Sequence, residues 1–155
     1  MIRILKKDVE RKRLKVRVSD GTVLTCKPVR QLPVQDLLFK LGVDDRLMEA
    51  ADPAEIQGAL TEQSETAKLD TAKAAITLFN YCMAYGIEED PPVEAVTELA
   101  ALGIAPRSRA ALRATWLNYL VLADAEEAGL LTGVILALTF RPDALEQMGE
   151  MQSVE

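Results

Sequence analysis

Leu14-Lys15-Val16-Arg17-Val18-Ser19-Asp20-Gly21-Thr22-Val23-Leu24-Thr25-Cys26-Lys27 takes this chain out of the all-helical class. Leu14, Val16 and Val18 alternate with Lys15 and Arg17, the period of two that marks a strand with one buried face. Asp20-Gly21 suits a type I′ turn, in which both central residues take positive φ. A two-residue loop there pairs Val18 with Val23 and Val16 with Thr25. It puts Leu14, Val16, Val18 and Val23 on one face, and Lys15, Arg17, Leu24 and Cys26 on the other. A lone hairpin is marginal in water, so its apolar face has to pack on helices or on the same hairpin of another subunit.

Downstream of Pro28 the period becomes helical. Pro33 opens a short helix over 33–41 that ends at Gly42, and another runs over 44–51. Asp52-Pro53-Ala54-Glu55 reads as a helix start, with an acidic N-cap, proline next and glutamate at the third position. The long helical region that follows is broken near Gln63-Ser64 and is strongest over 66–85. There Leu69, Ala72, Ile76, Phe79 and Met83 form one stripe, widened by Ala75, Leu78, Cys82 and Tyr85. Gly86 fits a left-handed helix stop. After the loop Glu88-Glu89-Asp90-Pro91-Pro92 come a helix over 92–102 stopped by Gly103, a linker at 104–106 and a helix over 107–122. This last helix places Leu112, Trp116, Tyr119 and Leu120 on one side. Asp124 and Glu127 start a final helix over 125–139, which Arg141-Pro142 breaks. The expected fold is α+β, mostly α: an N-terminal β-hairpin, then a bundle of five to seven helices, within a single domain spanning 1–155. Residues 1–30 form its basic hairpin segment, 31–140 the bundle and 141–155 a frayed tail.

Charge is divided along the chain. Residues 1–30 carry ten Lys/Arg against three Asp/Glu, a net of +7. The rest carries eight against twenty-one, or −13, within a total of −6 over 155 residues. A basic head on an acidic body points to association, including association between copies, rather than catalysis. Apolar residues make up 49% of the chain and aromatics only 5%, with much alanine and leucine, which favours closely packed helices. The start is not a secretory signal, because charges interrupt it early. The longest apolar run, Leu130 to Phe140, is too short to span a bilayer and reads as a buried core helix. The expectation is a cytoplasmic protein with no membrane association. Cys26 and Cys82 form no CxxC and read as reduced, buried thiols, with a disulfide between them left open.

The chain has no histidine, which removes the commonest general base and the commonest metal ligand. No phosphate-cradling glycine motif is present, and the chain calls for no cofactor. Glu88-Glu89-Asp90 reads as a solvated turn rather than an acid/base pair or a weak divalent-ion site. Glu126-Glu127 serves a helix N-terminus. Arg11, Lys12, Arg13, Lys15 and Arg17 read as a solvated strand face that guards an edge, or as a contact for an acidic protein surface. Nucleic acid is the less favoured partner, since the segment has no aromatic residue to stack bases and the acidic body repels a polyanion. Trp116 and Tyr119 read as core or as anchors of a partner groove. Arg107, Arg109 and Arg113 form a second, smaller basic face.

The order of elements, together with Leu78-Phe79-Asn80-Tyr81-Cys82-Met83-Ala84-Tyr85-Gly86-Ile87-Glu88, Ala114-Thr115-Trp116-Leu117-Asn118-Tyr119-Leu120-Val121-Leu122-Ala123-Asp124-Ala125-Glu126-Glu127 and Leu136-Ala137-Leu138-Thr139, resembles the tail assembly chaperones of long-tailed bacteriophages. The resemblance covers residues 14–140. It implies a non-enzymatic protein of the host-cell cytoplasm that binds the tape measure protein, keeps it soluble and helps recruit tail tube subunits during virion morphogenesis. The family often adds a longer, frameshifted form. Two other readings stand beside it: a structural tail or head–tail subunit of the virion, and a nucleic-acid-associated module that uses the basic hairpin.

Overall fold

The computed structural model describes residues 2–41, 54, 69–141 and 143, with the backbone alone at 69–72. The helix expected over 44–51, the start at Asp52-Pro53, the break near Gln63-Ser64 and the tail past residue 143 lie outside the described residues. Within them the chain is α+β and mostly α, as expected.

The N-terminal unit is larger than a hairpin. Strands β1 (Arg3–Asp8), β2 (Arg13–Arg17) and β3 (Val23–Cys26) form an antiparallel sheet in the order β1-β2-β3. β1 hides from a periodicity reading because its alternation is interrupted. Ile4 faces Val16 but Lys6 faces Lys15, so Leu5 is the extra residue of a bulge.

The β2–β3 register differs by one residue from the expected one. Val16 lies opposite Leu24 and Leu14 opposite Cys26. Gly21 donates its N–H to the Val18 carbonyl at 2.9 Å, and Val18 donates to the Thr22 carbonyl at 3.0 Å. Gly21 takes φ +93° while Asp20 stays at negative φ. This is a three-residue loop, a type I turn followed by a left-handed glycine, and not a type I′ turn. The slip moves Leu24 and Cys26 onto the face of Leu14, Val16 and Val18, where all five are buried. Val23 and Thr25 join Lys15 and Arg17 on the other face.

The outer edge of β3 is covered from within the chain. Cys26 bridges Ile87, Lys27 donates to the Gly86 carbonyl at 2.8 Å and Glu88 donates to the Thr25 carbonyl at 3.0 Å. The sheet thus packs on its own helices.

Five helices follow among the described residues: α1 (Gln31–Leu41), α2 (Leu69–Tyr85), α3 (Val93–Ala101), α4 (Arg109–Trp116) and α5 (Ala125–Phe140). α5 is apolar on every side and forms the core: from Glu127 to Thr139 only Leu130 escapes full burial. Its two threonines are satisfied locally, Thr132 donating to the Ala128 carbonyl at 2.9 Å and Thr139 to the Ile135 carbonyl at 2.7 Å. α2 packs against α1, α4 and α5. Its buried line runs through Ala75, Leu78 and Cys82, so the expected stripe is rotated by one residue, about 100° on a helix. Met83 is buried, but Ile76 is 61% exposed and Tyr85 51%.

α3 stops as expected at Gly103, at φ +79°. The Gly103 N–H reaches the Ala100 carbonyl at 3.0 Å and the Ile104 N–H the Leu99 carbonyl at 2.9 Å, the paired bonds of a Schellman stop. Gly86 is different: its φ is not positive. It is glycine because space is lacking, and its N–H continues the helix to the Cys82 carbonyl at 2.7 Å. The helix expected over 107–122 is broken in character. α4 starts at Ser108, whose hydroxyl accepts the Ala111 N–H at 3.0 Å, and passes into a π-helical turn over Leu117–Val121. The Leu122 N–H reaches back five residues to the Leu117 carbonyl at 2.8 Å. No helix among the described residues is long and apolar enough to cross a membrane.

Candidate binding surface

Three features meet on one side of the molecule: the outward face of the sheet, the acidic loop at 88–90 and the groove between α2 and α4. On the sheet, Arg3 lies opposite Arg17 and Lys6 opposite Lys15. Like charges directly opposite each other on neighbouring strands oppose the fold, and this face carries two such pairs. Arg11 and Lys12 occupy the β1–β2 turn, where Lys12 takes φ +55° and the Asp8 carboxylate accepts the Arg11 N–H at 3.2 Å. Lys6, Arg11, Arg13 and Lys15 surround a shallow cavity of about 270 Å³ with Asp8, Thr25 and Glu88.

The acidic loop is exposed at Glu88 and Asp90, as a solvated turn would be, but all three of its carboxylates are engaged. Glu88 binds the Arg13 guanidinium. Glu89 accepts the Thr25 N–H at 2.6 Å and the Thr25 hydroxyl at 2.7 Å. Asp90 accepts from both Arg109 and Arg113, with Arg113 Nη2 at 2.6 Å. These two hydrogen bonds, Arg109 foremost, lower the Asp90 carboxyl to about 2. Arg113 also donates to the Ala84 carbonyl at 2.6 Å and the Glu89 carbonyl at 2.8 Å, and its side chain is only 14% exposed. The basic face expected from Arg109 and Arg113 is therefore largely consumed within the fold. Three consecutive carboxylates join the sheet to α4.

A fourth carboxylate joins the sheet to the core helix. Glu127 accepts the Ser19 N–H at 3.1 Å, the Ser19 hydroxyl and the Ala123 N–H at 3.1 Å, while Asp124 caps the Glu127 N–H at 2.9 Å. Burial pushes the Glu127 carboxyl up, and the hydrogen bonds it accepts, that of the Ser19 hydroxyl foremost, together outweigh it, leaving it below its ordinary value.

The groove between α2 and α4 holds about 540 Å³ and is floored by Ala84, Ala111 and Ala114, with no charged side chain among its described lining residues. It continues past Asn80, Asn118 and Tyr119 into a second hollow of about 480 Å³ beside Ile76 and Phe79. Asn118 donates to Asn80 across it at 3.0 Å. Tyr119 is 67% exposed here, whereas Trp116 is 6% exposed and belongs to the core. The π turn separates the two: it adds a residue to the turn, so they no longer share a side. Ile76 and Tyr85 were missed as surface residues, because their helical spacing reads as core.

Cys26 and Cys82 are free and buried, and burial pushes both thiols up, aided at Cys26 by the charge of Glu89. No group of three His, Cys, Asp or Glu among the described residues is placed to hold a metal ion. Comparison with protein-family models, curated proteins and solved structures gives no match to this chain.

Proposed function

We propose that this protein is a non-enzymatic assembly factor that holds an amphipathic helix of a partner protein in the α2–α4 groove. The observation that carries the reading is the groove itself, small-residue in its floor and bordered by exposed Ile76, Tyr85 and Tyr119. Alanines let a partner backbone come close, and exposed aromatic and aliphatic side chains supply anchors. Apolar side chains gathered along one groove cost free energy in water, a cost that an occupant removes. The resemblance to tail assembly chaperones fits a partner of this type, a tape measure protein rich in long helices, with tail tube subunits as further partners. The same reading places the protein in the cytoplasm of a phage-infected host.

The test is purification of the tagged protein from its native host, with nuclease treatment and identification of what remains bound. A long helix-rich protein or a tail tube subunit is expected with the wild type, and its loss with Ile76→Glu and Tyr119→Glu. Recovery of the same partner with both variants would sink the groove, and recovery of nothing but the protein itself would sink the assembly reading. Retention of the protein in purified particles would favour the virion-subunit alternative.

A further inference from the structure

The fold places an aromatic pair beside the basic segment that lacks one in sequence. Tyr81 and Tyr85, one helical turn apart on α2, have ring centroids 4.9 Å apart and planes tilted by 46°. They form one wall of a hollow of about 650 Å³ whose other walls include Lys27 and Arg30 from the β3–α1 connection, Pro33 from the first turn of α1 and Arg13 from β2. No acidic side chain is among its described lining residues. Arg13 also lines the cavity of Lys6, Arg11 and Lys15 on the sheet, so a cationic track runs from the β1–β2 turn to the tyrosines.

We propose that this track binds single-stranded nucleic acid, with Lys27, Arg30 and the sheet cations on the phosphates and the Tyr81–Tyr85 pair against a base. Two observations favour this ligand over an acidic peptide. The tilted rings are not stacked face to face on each other, and Tyr85 is half exposed, so a ring face remains for a base; a carboxylate has no use for one. The opposed Lys6–Lys15 and Arg3–Arg17 pairs are spaced along strands, as a continuous polyanion would meet them. The acids that line the track are Asp8 and Glu88, against six Lys/Arg, and Glu88 is paired with Arg13. A duplex hides its base faces and does not use the tyrosines.

The experiment is fluorescence anisotropy of a short labelled oligothymidylate against the purified full chain. The wild type binds, and affinity falls as salt rises. Tyr85→Leu, at an exposed position, weakens binding about tenfold without changing the salt slope, and Tyr85→Phe restores it. Lys27→Gln and Arg30→Gln each flatten the log–log salt slope by about 0.7. Absence of wild-type binding at low salt, unchanged affinity in Tyr85→Leu, or equal competition by duplex DNA or polyglutamate would each overturn the proposal, the last in favour of an acidic peptide. Ile76→Glu lies at the far end of the helix groove and leaves this binding intact, so failure of the assembly reading and failure of this one are separable.

Discussion

A Cβ built on Gly86 falls 2.7 Å from both Cδ1 and Cγ2 of Ile135, and 2.6 Å from the Cys82 carbonyl oxygen. The end of α2 thus rests directly on the core helix, and the same residue passes its carbonyl to Lys27 of the sheet edge.

Gly86→Ala is therefore expected to lose about 1–3 kcal/mol in chemical denaturation, the range for forcing a carbon into a filled core. Adding Ile135→Val should recover only part of the loss, because it removes Cδ1 alone and the contacts with Cγ2 and the Cys82 backbone remain. Additive losses in the double variant would contradict this packing.

Arg113 and Arg109 both hold Asp90 but differ in exposure, at 14% and 77%. Arg113→Ala is expected to cost about 2 kcal/mol, since it leaves two carbonyls without their charged donor. Arg109→Ala should cost much less. Because the Asp90 pKa is lowered from 3.8 to about 2, its contribution is fully present above pH 3.8 and is lost as pH falls through about 2. Asp90→Asn should flatten the acid limb of the stability curve in that window, measured by urea titration at a series of pH values.

Glu127 has a lowered pKa, so its contribution is present above the ordinary glutamate range and lost on acidification. Glu127→Gln is expected to cost about 1–3 kcal/mol, because an amide has one acceptor oxygen for several donors. Ser19→Ala should cost less, and the pair should be non-additive in a double-mutant cycle.

The two thiols are buried, free and raised in pKa, all of which suppress the reactive thiolate. Ellman's reagent should find no fast-reacting thiol in the native protein, and both after unfolding. Rapid native labelling of either would contradict their burial.

Lys12 sits at φ +55°, where a side chain costs about 1 kcal/mol or more. Lys12→Gly is expected to raise stability by up to about 1 kcal/mol, read as a higher denaturant midpoint. A loss instead would mean that the side chain is used in the fold.

Much of the secondary structure is legible in short patterns. Leu14-Lys15-Val16-Arg17-Val18 announces a strand, Gly103 a helix stop, Asp124 with Glu127 a helix start, and Leu130 to Phe140 a buried helix. The β2–β3 register was not legible from its turn, because Asp-Gly serves a two-residue loop and a three-residue loop alike. The alternation of Leu24 and Cys26 against Val23 and Thr25 was the available signal, since only one phase gathers all five apolar side chains on one face. β1 was hidden by the bulge at Leu5 and by its lysines.

By itself the sequence determined the kinds of element, several of their ends and the division of charge, because these follow from contacts within one or two turns of chain. Tertiary structure alone decided where each charge goes and which face of α2 meets water. Arg13 finds Glu88, Thr25 finds Glu89, and Lys27 and Arg30 share a hollow with Tyr81 and Tyr85. Such pairs lie tens of residues apart, and no local pattern encodes them. They exist because closing the core around α5 brings the sheet, the 88–90 loop and α2 to one place.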